Sequence, residues 1–267
     1  MVRMPKIFLD NKGSHILLVT GCYRSGTTAM AAALNRHKDI FCSNEMRVFS
    51  KNFLFYFAKN NKGIPGDDRY MDMEKWLAEN KKIVTSREYF DIANICRKNE
   101  AKPKIFGDKL PAYLNSMVES LDYIKSIWEV YPKIILMYRD PRDVIESQVR
   151  RWSSPGAVFW THPDPISAIS SFPSWLDRMT AWSDFRNKFD IDCIEIRYES
   201  LLDRPVETAE SLAIYLDVDV EEMKEVLTSG YSNERSNRGK WKEKYPDLTD
   251  LLPEKWKIMM EKYSIPI

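Results

Sequence analysis

The stretch Ile16-Leu17-Leu18-Val19-Thr20-Gly21-Cys22-Tyr23-Arg24-Ser25-Gly26-Thr27-Thr28 decides the fold. Ile16 to Val19 is a short run, apolar on both faces and stopped by Gly21, as in a strand buried inside a parallel sheet with helices over both sides. The loop leads straight into Thr27 to Arg36, which carries four alanines and two long apolar residues and has high helix propensity. A strand that turns through such a loop into a helix directs successive backbone N–H groups and the positive end of the helix dipole at one point. Gly21 to Thr28 is therefore expected to hold an anionic phosphate or sulfate group.

The same arrangement recurs twice downstream. Lys133 to Tyr138 reads as a second strand, and Arg139-Asp140-Pro141 opens a helix to about Trp152, with Pro141 suited to the first helical turn. Cys193 to Ile196 reads as a third strand, followed by Arg197-Tyr198-Glu199 and a helix from about Val206 to Leu216. Strands alternating with helices predict an α/β fold, P-loop-like and three-layered, with a mostly parallel central sheet flanked by helices and ligands at the carboxyl ends of the strands. All three loops leave strands at that end. One domain over residues 1–267 is expected, with helical insertions on the acceptor side at about 49–104 and 152–185; aromatic content alone equally suits ordinary packing helices there.

Composition narrows the function classes. Lys and Arg total 40 against 39 Asp and Glu, so no global field exists to gather nucleic acid or an anionic membrane. Cys22, Cys42, Cys96 and Cys193 are scattered, with no C-x-x-C pair and no histidine at ligand spacing, so neither a disulfide framework nor a metal site is expected. Met1 to Lys12 lacks the apolar core of a secretory signal, and the longest apolar runs fall far short of the roughly 20 residues of a membrane span. A chain with no membrane span, in a reducing, cytoplasmic setting, is the expectation.

The loop has the glycine spacing of G-x-x-x-x-G-K-[ST], yet Thr27 stands where that pattern needs lysine. The backbone cradle survives, and Ser25, Gly26, Thr27 and Thr28 remain as donors to an anion, with Arg24 supplying charge earlier in the loop. The lysine that reaches the β and γ phosphates of ATP is missing, which favours a donor with fewer terminal phosphates. At the second strand exit, Arg139 sits at the strand end, Ser147 about two turns on, and Arg151 four residues later on the same helix face. These would bind a second, separate phosphate. The bland alternative is a solvated helix whose Arg142, Asp143 and Glu146 pair with neighbours.

Tyr23 to Thr28, together with Tyr138-Arg139-Asp140-Pro141-Arg142-Asp143 through Ser147, resembles the 5′- and 3′-phosphate motifs of sulfotransferases that use 3′-phosphoadenosine 5′-phosphosulfate (PAPS). Arg197-Tyr198-Glu199-Ser200-Leu201 with Pro205 resembles that family's third strand and nucleotide-contacting tyrosine, so the likeness spans nearly the whole chain. Within the family it is strongest to the tyrosylprotein sulfotransferases and their bacterial relatives. The resemblance implies transfer of a sulfonate from PAPS to a hydroxyl acceptor, a small molecule or a peptide, without a metal. It also implies roles. Glu45, in Cys42-Ser43-Asn44-Glu45-Met46-Arg47, takes the place of the catalytic glutamate, although Ser43 and Asn44 depart from the usual Gly-Glu before it. Lys109, in Gly107-Asp108-Lys109-Leu110-Pro111, would neutralise the leaving oxygen. Ser236 is assigned to the transferring group, with Ser232 as fallback, and Lys240 to the 3′-phosphate side. Arg24 would clamp the donor near the sulfonate, Tyr198 contacts the nucleotide and Arg47 holds the acceptor; His162 is a rival base. A P-loop kinase of a small metabolite and a non-catalytic nucleotide-binding protein are the competing readings.

Overall fold

A computed structural model of the chain describes residues 6–50, 87, 103–154, 161–230 and 237–267. Its centre is a five-stranded, all-parallel sheet in the order β3-β4-β2-β5-β7, made of β2 (Ile16–Gly21), β3 (Ile40–Asn44), β4 (Ile105–Lys109), β5 (Lys133–Tyr138) and β7 (Cys193–Arg197). Two short strands, β1 (Ile7–Leu9) and β6 (Phe189–Ile191), form a separate parallel pair. The α/β class and the parallel sheet are as predicted.

Alternation along the strands explains the three layers. In β2, Ile16 and Leu18 enter one core while Leu17 and Val19 enter the other; in β5, Ile134 and Leu136 separate from Ile135 and Met137 in the same way. Successive strand side chains point to opposite faces, so a strand apolar at every position needs helices on both. One face is covered by α1 (Thr27–Leu34), α7 (Pro205–Leu216) and α8 (Val220–Gly230). The other packs against α2 (Met117–Trp128), α3 (Pro141–Trp152), α5 (Trp175–Lys188) and the C-terminal α9 (Glu254–Lys262). The short helices α4 (Pro165–Ser170) and α6 (Tyr198–Asp203) and a 3₁₀ segment, Pro111–Ser116, complete the elements used below.

Two strands, β3 and β4, escaped the sequence reading. β4 (Ile-Phe-Gly-Asp-Lys) carries two charged residues, yet Asp108 and Lys109 are fully buried because other groups pair with them. Gly107 is required there: a Cβ would lie 2.9 Å from Leu17 O of the neighbouring strand. Of the two expected insertions, residues 51–86 and 88–102 of the first lie outside the described residues. In the second, α5 is a core helix, with Trp175, Met179 and Trp182 buried and Ser174 and Asp177 forming a capping box at its start.

Candidate active site

The loop after β2 turns where glycine permits it. A Cβ on Gly21 would sit 2.0 Å from Met137 O, so β5 runs against the loop's first residue only because no side chain is there. Gly26 precedes α1 in the left-handed region (φ 86°), and a Cβ would meet Tyr198 Cδ2 at 2.5 Å. Position 26 thus needs both a positive φ and bare space beneath the Tyr198 ring.

Arg24, also left-handed at φ 65°, donates from Nε to Ser147 Oγ at 2.9 Å. This contact joins the first strand exit to the helix of the second. Arg139 lies 4.4 Å from the centroid of the Tyr198 ring, donates weakly to Arg24 O at 3.4 Å and faces Asp143 at 3.6 Å. Its carbonyl accepts from Trp175 Nε1 at 3.0 Å, which anchors the strand end to α5. Arg139 is buried, and its Nε and second terminal nitrogen have no hydrogen-bond partner among the described residues. Burial, then the neighbouring guanidinium groups of Arg150, Arg139 and Arg151, push the Arg24 pKa down, with Glu146 opposing. Several cations and orphaned donors crowd a cleft of about 230 Å³ lined by Arg24, Gly26, Thr27, Thr28, Arg139, Ser147, Arg150, Tyr198 and Asn237. Such groups are costly to bury without an anion.

The expected residues are not all placed alike. Thr27 and Thr28 line the cleft, but the Ser25 hydroxyl is buried against the carbonyls of Cys22 (2.6 Å) and Met137 (3.0 Å), so it braces the loop and only its backbone remains for an anion. On α3 it is Arg150 that lines the cleft, donating to Ser147 Oγ at 3.4 Å, while Arg151 lies within electrostatic reach of Arg24. The i,i+3 spacing from Ser147 would have found Arg150 as readily as i,i+4 found Arg151. Lys240 is exposed and outside the cleft lining; Asn237, three residues earlier, lines it instead. Ser232 and Ser236 lie outside the described residues. The solvated-helix alternative fails on burial, since Arg142, Asp143, Glu146 and Ser147 are all inside. Arg142 is structural, held bidentately by Asp140 and stacked 4.5 Å from the Trp241 ring centroid. Asp143 accepts from the Gly239 N–H at 2.7 Å, and burial pushes its carboxyl up to about 6.

A second cluster sits on the same sheet edge at the ends of β3 and β4. Lys109 Nζ lies 2.6 Å from Glu45 Oε1; the lysine side chain is 1% exposed and the carboxylate 52%. The Glu45 N–H donates to Lys109 O at 2.7 Å. Glu45 and Arg47 both hold left-handed backbones, at φ 60° and 57°. Lys109 pairs in register with Val19 of β2 and Asn44 of β3, which puts the cluster on strands directly beside the phosphate loop. Arg178 of α5 lies between the halves, donating to Pro111 O at 2.7 Å and sitting 3.9 Å from the ring centroid of Tyr23. Half-buried His162 precedes α4, and burial pushes its pKa down. No group of three or more metal-ligating side chains occurs among the described residues.

A family model described as "Sulfotransferase family" matches residues 17–222. A putative protein-tyrosine sulfotransferase from Caenorhabditis briggsae is 28% identical over 211 residues, which cover 76% of this chain and 65% of that protein. Protein-tyrosine sulfotransferase 1 of Danio rerio is 24% identical over 218 residues, covering 79% of this chain and 55% of its own length. The chain thus spans only a little over half to two thirds of these relatives. Among solved structures, the sulfotransferase domain of the Synechococcus PCC 7002 olefin synthase superposes with a TM-score of 0.59 at 16% identity, over 98% of this chain and 96% of that one. That likeness bears on the fold.

Proposed function

Since the chain belongs to the sulfotransferase family, we propose that it transfers a sulfonate from PAPS to the hydroxyl of an acceptor, of which a tyrosine or other phenol is the favoured class. The observation that carries this reading is the Arg24 Nε to Ser147 Oγ contact of 2.9 Å, which makes one cleft of two cationic strand exits. A nucleotide with phosphate charge at both its 5′ and 3′ positions needs such a divided site. The orphaned donors of Arg139 and the clustering of Arg24 with Arg150 and Arg151 suit a polyanion, and Thr27 in place of a lysine suits one without a β,γ-phosphate pair.

PAPS supplies a sulfonate on a bridging oxygen that leaves with adenosine 3′,5′-bisphosphate. The Glu45 carboxylate accepts the acceptor's hydroxyl proton as the new O–S bond forms and the bridging S–O bond breaks. Lys109 Nζ has three donors, so its bond to Glu45 leaves others to stabilise the leaving oxygen. Arg24, inside the loop, clamps the donor and offsets charge on the transferring group. Arg139, Ser147 and Arg150 hold the 3′-phosphate, with Arg151 adding positive charge nearby, and Tyr198, seated over Gly26, gives the nucleotide a flat contact. Arg47, two residues beyond the base, holds the acceptor. The names of the relatives support a phenolic acceptor, and the free thiols of Cys22, Cys42 and Cys193 support a reducing, cytoplasmic setting.

Adenosine 3′,5′-bisphosphate is expected to raise the melting temperature without Mg²⁺, and PAPS turnover against tyrosine peptides, phenols and aliphatic alcohols is expected to add sulfonate detectable by mass spectrometry. Stabilisation only by ATP with Mg²⁺ would refute the reading.

A further inference from the structure

Asp108 is fully buried beside the base, and neither the sequence motifs nor the proposed chemistry uses it. One carboxylate oxygen accepts from Ser43 Oγ at 2.6 Å and from the Met46 N–H at 3.3 Å. The other accepts from Tyr113 OH at 2.7 Å, and the same phenol oxygen accepts from the Phe49 N–H at 3.1 Å. These contacts span the segment that carries Glu45 and Arg47. Met46 is the one residue between the two left-handed positions, and left-handed backbone is sterically unfavourable for a non-glycine residue. A conformation so disfavoured persists only where its surroundings over-determine it.

β4 provides the over-determination from both of its faces. Neighbouring strand residues point opposite ways, so Lys109 grips Glu45 by side chain and carbonyl while Asp108, one residue earlier, grips Met46 directly and Phe49 through Tyr113. We infer that the Asp108–Tyr113 pair is a positioning device that presets the Glu45–Arg47 turn, and so places the base and the acceptor-holding arginine before any substrate binds. The inference rests on the proposed role of Glu45. Neither Asp108 nor Tyr113 touches substrate; both act through the turn.

The test compares Asp108→Ala, Asp108→Asn and Tyr113→Phe in the full chain. Amide hydrogen exchange reads the turn without reference to activity: the Met46 and Phe49 amides are expected to exchange at least ~10-fold faster in Asp108→Ala, and Phe49 selectively faster in Tyr113→Phe. At saturating PAPS, kcat is expected to fall about 100-fold in Asp108→Ala, the scale of an ångström-level misplacement. Asp108→Asn keeps an oxygen for Met46 and is expected to recover most of that loss. Affinity for adenosine 3′,5′-bisphosphate is expected to stay within about twofold in all three, because the donor half is untouched. Unchanged exchange at Met46 and Phe49 in both Asp108→Ala and Tyr113→Phe overturns the inference, as does wild-type kcat in those two variants. If the wild-type chain itself transfers no sulfonate, the activity reading fails, while the exchange data still decide whether the pair presets the turn. Should Asp108→Ala fail to fold, Tyr113→Phe, which removes one oxygen atom, decides the question through the same two measurements.

Discussion

The two clusters at the carboxyl ends of the strands handle charge in different ways. On the donor side, two Arg139 nitrogens lack a hydrogen bond among the described residues and Arg24 is held among three other guanidinium groups, so the cations outnumber the neighbouring carboxylates of Asp143 and Glu146. On the acceptor side, Lys109 meets Glu45 at 2.6 Å and Asp108 accepts from three groups, so these two charged residues of β4 are already answered. The difference fits the roles proposed for the two clusters. A site that binds a fixed polyanion gains most when the ligand supplies the missing charge, whereas a site that moves one proton gains from a geometry settled beforehand.

Glu45→Gln should break the contrast most sharply. It is expected to lower kcat by roughly 10²–10⁴, the usual range for a lost general base, while affinity for adenosine 3′,5′-bisphosphate by calorimetry changes little. Near-normal turnover would remove Glu45 from the mechanism and move attention to His162. The donor half should respond in the reverse sense. Arg139→Met is expected to weaken bisphosphate binding about 10–100-fold, from the loss of charge-assisted hydrogen bonds worth about 1.5–3 kcal/mol, with kcat at saturation nearly unchanged. Arg24→Ala should lower both affinity and kcat; a purely affinity-based loss would confine Arg24 to binding.

Asp108 offers a test through stability. Burial raises its pKa from 3.8 to about 6 in the folded protein, so the folded state holds that proton more tightly than the unfolded chain. Its contribution is therefore fully present below about pH 4 and is lost as pH rises through about 6, up to ~3 kcal/mol at most. Denaturant midpoints measured from pH 4 to 7 should show wild type losing stability relative to Asp108→Asn over that window. A parallel pair of curves would mean that the carboxylate is not held at raised pKa. The smallest expected effects lie at the cleft margin. Arg150→Ala should weaken bisphosphate binding several-fold and reduce its salt dependence, whereas Lys240→Ala, at an exposed position, should change affinity less than about twofold. Equal effects at the two positions would return Lys240 to the 3′-phosphate site.

Much of this architecture is legible in the chain alone. The strand–loop–helix units at Ile16, Lys133 and Cys193 announce a parallel sheet because runs apolar on both faces have few other solutions. Gly21, Gly26, Arg24, Arg139 and Ser147 are readable because the loop and helix spacings are local. β3 and β4 do not read as strands. Ser43, Asp108 and Lys109 break the apolar pattern, and only their partners from other strands and from the 3₁₀ segment make them fit to be buried.

The sequence by itself determined the sheet class, the glycine-bearing strand-to-helix loop and the two cationic strand exits, because propensity, periodicity and motif spacing act over a few neighbouring residues. Tertiary structure alone decided that Ser25 turns inward, that Arg150 rather than Arg151 lines the cleft, and that Asp108 and Tyr113 grip the turn bearing Glu45. Those outcomes depend on contacts between residues far apart in the chain, where burial makes an unpaired charge costly and so selects which side chains meet.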